Sequence, residues 1–175
     1  ANFDEMTGLP NRRLFMDRLN DALLTARRHK LSVAVMLIDI DRFKEINEVM
    51  GPEIGDKTLV DISQKLKKTV RDSDTFARLS GDEFIAVIKN YNSTADIQLI
   101  AARMFDVMNE PQQLGELTMF LSASIGVTLY PNDAQDGKEL IRNAYLAMYD
   151  AKDSGGRNQL QFFTPSMHER MQQRA

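Results

Sequence analysis

Two short acidic segments of this chain have the residue types to do metal and phosphate chemistry. Asp39-Ile40-Asp41-Arg42-Phe43-Lys44 closes a long apolar run, and Arg78-Leu79-Ser80-Gly81-Asp82-Glu83-Phe84 reads as the tip of a hairpin. Strand alternation points Asp39 and Asp41 to the same side. A carboxylate that ends a hydrophobic strand must leave the core, reach a partner or bind a cation. Asp41 also stands where a helix N-cap would stand, which leaves the Phe43 and Lys44 amides unpaired in a first helical turn. Such amides, with the helix dipole behind them, form a phosphate site. If the hairpin lies beside the buried strand, Asp82 and Asp39 converge on one hard cation such as magnesium, which keeps water and substrate phosphates in its shell. The plainer alternative remains open on these residues alone: a cap, a solvated strand end and a polar turn.

The elements that must position these acids follow from periodicity. Phe15, Leu19, Ala22, Leu23 and Ala26 recur at helical spacing, so 11–29 reads as an amphipathic helix. Leu31 to Ile38 is a near-continuous apolar run, the pattern of a strand buried on both faces. A second helix is expected to open near Asp41, and a third to carry Leu59, Ile62, Ser63, Leu66 and Val70 inward. Strands at 75–79 and 84–88 flank the hairpin tip Ser80-Gly81-Asp82-Glu83, and Ile97, Ile100, Ala101, Met104, Val107 and Met108 mark a further helix. Leu121, Ala123, Ile125, Val127 and Leu129 alternate with small or polar residues, which predicts a strand with one buried face. Asp136 and Glu139 form a capping-box pattern ahead of a helix to about Asp153; Gly155-Gly156 ends it, and 159–163 reads as a last strand. One sheet with helices packed against it accommodates this order.

Composition narrows the class further. The chain has 175 residues, 43% of them hydrophobic, enough for one domain with its own core. There are no cysteines, which excludes disulfide scaffolds and thiolate metal sites and fits a reducing cytosol. Net charge is −3, so no basic excess marks a DNA- or RNA-binding surface. The longest apolar run, 31–38, is too short to span a bilayer, and no signal-peptide pattern is present.

Five blocks, in order, resemble the GGDEF family. Arg78-Leu79-Ser80-Gly81-Asp82-Glu83-Phe84 resembles its signature, with Ser80 in place of the first glycine. Asp4 to Arg13 is similar to its opening D-x-L-T-G-L-P-N-R. Asp39 to Asn47, followed by Gly51 and Ile54-Gly55-Asp56, is similar to its D-I-D-x-F-K-x-I-N-D and G-x-x-x-G-D elements. Ser124-Ile125-Gly126-Val127 resembles its late strand, and Ala147-Met148-Tyr149 with Ala151-Lys152 its last helix. Five ordered blocks over 3–163 are far more specific than one match.

The resemblance implies an α+β fold: a palm-like, ferredoxin- and adenylyl-cyclase-related sheet of about five mainly antiparallel strands flanked by helices. It implies a diguanylate cyclase, which condenses two GTP into cyclic di-GMP and two pyrophosphates in a homodimer, using Mg2+ or Mn2+. Asp39 and Asp82 match the metal carboxylates and Ile40 the backbone ligand; the Phe43 and Lys44 amides match the phosphate cradle. Asn47 and Asp56 match the guanine readers, an amide and a carboxylate suited to guanine's acceptor and N–H edge. Glu83 is the helper expected at the reacting hydroxyl, and Lys152 and Arg157 match two phosphate-binding basics. Arg71-Asp72-Ser73-Asp74 matches the R-x-x-D site for inhibition by cyclic di-GMP, an arginine fork suiting phosphate and purine; an exposed charge pair is the bland alternative.

Three departures bear on activity. Ser80 replaces a glycine, which matters if that position needs φ > 0 or a close ligand. Asp153-Ser-Gly-Gly156 lengthens the Lys152–Arg157 spacing by one residue, and Glu48 and Tyr145 stand where the family usually has aspartates. Gln161 to Met167 resembles the connector to a following EAL phosphodiesterase domain, so the expected division is a GGDEF domain at 1–163 and a connector at 164–175. The domain is then cytoplasmic, in a longer protein with sensor and EAL parts and room for a membrane tether. Active cyclase is the first reading. A catalytically silent module that binds GTP or cyclic di-GMP and controls a neighbour is the second, and a plain structural domain the remote third.

Overall fold

Eight consecutive buried residues form the strand around which the sheet is arranged, β1 (Val33–Ile40). This computed structural model describes residues 1–153 and 156–174. Before β1 comes α1 (Arg12–His29), capped by Asn11, whose side chain accepts from the Leu14 amide. After it come α2 (Phe43–Met50), α3 (Pro52–Lys67), β2 (Thr75–Ser80), β3 (Glu83–Lys89) and α4 (Thr94–Asn109). A small hairpin, β4 (Gln112–Leu114) and β5 (Leu117–Met119), leads to β6 (Ala123–Tyr130), α5 (Gly137–Asp153), β7 (Leu160–Phe162) and α6 (Ser166–Arg174).

The main sheet runs β2-β3-β1-β6-β7; its pairs are antiparallel except β6 with β7. On one face Ala34, Met36, Ile38 and Ile40 meet Ile46 of α2, Leu59, Ile62 and Leu66 of α3 and Met104 of α4. On the other Val33, Val35 and Leu37 meet Phe15 and Leu19 of α1 and Leu140 and Met148 of α5. The palm-like α+β arrangement expected from the sequence is therefore present. Met167 of α6 packs on Ala147 and Phe163. Among the described residues no helix is long and apolar enough to cross a membrane.

The structure corrects several local expectations. Asp41 does not cap α2: that place belongs to Arg42, in the left-handed region at φ 59. The strand at Ala123 is buried on both faces, because its small residues Ser124, Gly126 and Thr128 let α5 settle on the sheet. Val70 lies past the end of α3. Asp136 accepts from the Glu139 amide at 2.8 Å, but the Glu139 carboxylate pairs with Arg142 instead of closing the box. Of the glycine pair after α5, Gly155 lies outside the described residues, and Gly156 has φ +79.

The contact of α5 with β6 is the tightest in the sheet layer. A Cβ on Gly126 would lie 2.3 Å from the Ala144 carbonyl oxygen and 2.4 Å from the Met148 amide nitrogen. Both are helix backbone and cannot rotate away. Gly126→Ala is therefore expected to destabilise the domain by about 1–3 kcal/mol, the range for overpacking. Urea denaturation followed by circular dichroism checks this; an unchanged midpoint would mean that α5 does not rest on that strand.

Candidate functional site

The site sits where β1 ends and the β2–β3 turn folds over it. Ser80 pairs with Glu83, so the turn proper is Gly81-Asp82, with a bulge between Arg78 and Ser80. Gly81 carries the positive φ, +46, and Ser80 is not among the left-handed residues. The serine therefore occupies its position without backbone strain.

Arg78 holds this turn in place. Its Nε donates to the Gly81 carbonyl at 3.0 Å, and its Nη1 reaches both oxygens of Asp4 at 3.2 Å. Asp4 in turn accepts from the Thr7 amide and hydroxyl, and the Arg78 amide donates to the Pro10 carbonyl. Burial pushes the Asp4 pKa up, but the hydrogen bonds from Thr7 and the Arg78 guanidinium outweigh it and lower the pKa overall. The opening segment of the chain is thus a brace for the hairpin. Its Asp4-x-x-Thr7 turn is legible as a local cap, but nothing in the sequence ties it to residue 78.

The Ile40 amide donates to the Asp82 carbonyl at 3.2 Å, which carries the β1 edge past its ladder and sets Asp82 beside Asp39. Asp39 is buried; its Oδ2 contacts the Lys152 ammonium of α5, and its Oδ1 is buried without a hydrogen-bond partner. Burial is the main force raising its pKa to about 7; Lys152 opposes it, and the facing Asp82 carboxyl adds to it. Two carboxyls face to face are favourable only with a shared proton or a cation between them. Among the described residues no cluster of three acidic, histidine or cysteine groups forms a ready cage. Two hard carboxylates, an orphaned buried oxygen and the adjacent Ile40 carbonyl fit a divalent ion whose shell is completed by water and phosphate.

Asp41, by contrast, is fully engaged. It accepts from Ser122 Oγ at 2.6 Å, Ser124 Oγ at 2.7 Å and the Asn158 amide at 3.1 Å. It latches the segment after α5 to the sheet and takes no part in the acid pair. The first turn of α2, which holds the Phe43 and Lys44 amides, receives no hydrogen bond from its N-cap side chain. Phe43 is buried and anchors that turn; Lys44 is exposed.

The two candidate base readers are brought together by a missing side chain. A Cβ on Gly55 would lie 1.6 Å from Asn47 Oδ1, so the amide occupies the space that glycine leaves. Asn47 Oδ1 is buried and without a hydrogen-bond partner, and the next residue, Asp56, is exposed. The proposed basics separate: Lys152 is on Asp39, while Arg157 lines a groove of about 570 Å³ with Arg42, Val49 and Phe120. Glu83 accepts a hydrogen bond from the Tyr145 hydroxyl at 3.0 Å, a contact between residues 62 apart that no local pattern signals.

Arg71 and Asp74 lie at the other end of the sheet, where Lys89 pairs with Val33. Asp74 is buried and accepts from Arg71 Nε at 2.9 Å, Arg71 Nη2 at 3.2 Å and the Lys89 amide at 3.0 Å. It therefore aims Arg71, whose side chain remains 54% exposed, into a cleft of about 670 Å³ shared with Arg18, Asp21 and Asn90.

Comparison with known proteins identifies the family and the fold. A family model described as "Diguanylate cyclase, GGDEF domain" matches residues 1–159. MucR of Pseudomonas aeruginosa, a bifunctional diguanylate cyclase/cyclic di-GMP phosphodiesterase, is 40% identical over 173 residues, 99% of this chain and 25% of MucR. NbdA of the same organism, a cyclic di-GMP phosphodiesterase, is 38% identical over 164 residues, 94% of this chain and 21% of NbdA. The structure of the GGDEF domain of TpbB (YfiN) from P. aeruginosa superposes with a TM-score of 0.93 at 38% identity, covering 97% of this chain and 99% of that one. The chain spans a quarter or less of the length of MucR and NbdA.

The raised Asp39 pKa sets a stability test. In chelator, the folded state binds a proton that the unfolded chain releases near 3.8, so stability from this group falls as pH rises from about 4 to about 7. Asp39→Asn mimics the protonated form beside Asp82 and Lys152. It should flatten that fall and, for a gain of about 1 kcal/mol, melt about 2–4 °C higher at pH 7.5. Parallel melting curves for the two proteins across this window would show that burial does not govern Asp39.

Proposed function

The chain belongs to the GGDEF family, and we propose that it condenses two GTP molecules into cyclic di-GMP with release of two pyrophosphates. The observation that carries this reading is the convergence of Asp39 and Asp82, one oxygen buried and unpartnered, beside an uncapped helix N-terminus. Asp39, Asp82 and the Ile40 carbonyl would hold magnesium or manganese, which when bound neutralises phosphate charge and lowers the pKa of the attacking hydroxyl. The Phe43 and Lys44 amides receive the phosphate tail, with the α2 dipole behind them. Asn47, seated in the space that Gly55 leaves, and Asp56 read guanine, and Lys152 and Arg157 add positive charge to the phosphates.

In the reaction each 3′-hydroxyl attacks the α-phosphate of the other GTP, forming a P–O bond as the bond to the pyrophosphate breaks. Glu83 accepts the hydroxyl proton. Phosphoryl transfer of this kind depends on in-line positioning and charge stabilisation. One GTP per chain requires a homodimer that faces two sites together. The domain works on the cytoplasmic side, where GTP is supplied, within a longer protein whose sensor and EAL parts flank it; residues 164–175 would lead toward the latter.

A second reading has its own support: NbdA, 38% identical, is named only as a phosphodiesterase. On that reading the domain is a silent GTP or cyclic di-GMP receptor governing a neighbouring EAL domain. One assay separates the two. Incubated with GTP and magnesium, and dimerised artificially if necessary, the domain should yield cyclic di-GMP by chromatography, none from ATP and none for Asp82→Asn. Turnover near wild type in that variant would remove Asp82 from the mechanism, and binding of GTP without product would favour the receptor.

Cyclic di-GMP is also the proposed ligand of the Arg71 cleft, because an exposed guanidinium held by a buried carboxylate suits phosphate and purine. Inhibition would be noncompetitive with GTP. Arg71→Ala should weaken cyclic di-GMP binding by tenfold or more, about the worth of a charge-assisted hydrogen bond, and leave uninhibited turnover unchanged. Equal affinity in calorimetric titrations of both proteins would reduce the pair to a surface ion pair.

A further inference from the structure

Glu83 begins β3 and pairs across the sheet with Asp39, so its backbone is fixed. Its side chain still has three torsions to order before it can meet a substrate hydroxyl. The Tyr145 hydroxyl supplies that order by donating to Glu83 Oε1 at 3.0 Å. Tyr145 is carried by α5, the helix locked to β6 by the absent side chain of Gly126, and its half-buried ring packs against the core cluster that includes Phe15 and Leu19 of α1. The Arg12 guanidinium at the start of α1 faces the same phenol and acts against the rise of its pKa. Burial first and the Glu83 charge second raise its pKa to about 12, so it stays a donor at any working pH.

We infer that Tyr145 is a positioning residue that holds Glu83 toward the reacting 3′-hydroxyl of GTP. This inference rests on the cyclase reading above. A carboxylate at position 145 would repel Glu83, whereas the phenol donates to it. A carboxylate fixed at one oxygen presents the other in a defined direction, which is what proton acceptance from a bound hydroxyl requires.

The test uses the GTP- and magnesium-loaded domain and Tyr145→Phe, which removes one oxygen and keeps the ring packing. Losing a hydrogen bond to a charged group is worth about tenfold, so kcat should fall about tenfold with KM for GTP unchanged. In a Glu83→Gln background the same substitution should produce no further fall, because its route runs through Glu83. An unchanged kcat, a change confined to KM, or additive losses would overturn the inference. Binding supplies a second readout: with magnesium, wild type should prefer GTP over 3′-deoxy-GTP and Tyr145→Phe should not. A wild type that makes no product but shows this preference, lost in the variant, defeats the cyclase reading and keeps the positioning role. Neither product nor preference defeats both.

Discussion

A carboxylate buried at the end of a fully buried strand has to be compensated, and compensating Asp39 accounts for much of the rest of the molecule. The compensating ammonium comes from Lys152, more than a hundred residues along the chain. Bringing it there requires α5 to lie directly on β6, which the small residues Ser124, Gly126 and Thr128 allow. The opposing carboxyl comes from Asp82, and holding that turn in place takes the bulge after Arg78 and the Arg78–Asp4 brace. The Asp39–Asp82 contact is favourable only while a proton or a cation lies between the two carboxyls. Such unrelieved like-charge contacts are tolerated where a ligand relieves them.

The same sheet keeps its two candidate sites apart. The Asp39–Glu83 pair and the Val33–Lys89 pair are six residues apart along β1, about 20 Å at the usual strand rise. A ligand gripped by Arg71 thus cannot touch the acid pair of its own chain. β3 runs between the two, but its ladder to β1 is continuous and buried, a poor candidate for bending. An effect of the Arg71 cleft on turnover is more simply carried by the relative placement of two copies than by deformation within one.

Much of this was legible in the sequence, for identifiable reasons. The buried strand, α1 with its Asn11 cap, the apolar stripes of α3 and α4 and the paired acids are local patterns, and local patterns survive folding. Asp41 resembles a cap in the sequence because its hydroxyl partners, Ser122 and Ser124, lie some eighty residues away and no periodicity links them. The strand at Ala123 looked one-sided because serine, glycine and threonine count as surface residues until a helix backbone is set against them. The β4–β5 hairpin escaped notice because three-residue strands of Gln, Leu, Thr and Met carry no alternation strong enough to see. Gly55 was read as part of a motif; only the fold shows that its missing side chain is the space Asn47 fills.

Whether such a domain turns over depends on whether its departures touch the acids. Ser80 does not: it is exposed, free of positive φ, and the turn's left-handed residue is the retained Gly81. Tyr145 leaves Asp39 and Asp82 alone and engages Glu83 with a donor where an acid would repel it. Arg157 is the departure with a visible consequence. Its amide closes the end of α5 on the Ala151 carbonyl, and the residue lines the groove beside α2, away from Lys152's partner. Charge on the phosphates would then fall mainly to Lys152, which must leave Asp39 to provide it. A cation bound at Asp39 makes that departure favourable, because it takes over the compensation that the ammonium supplies. On the cyclase reading, metal binding and phosphate binding would therefore be linked through one lysine.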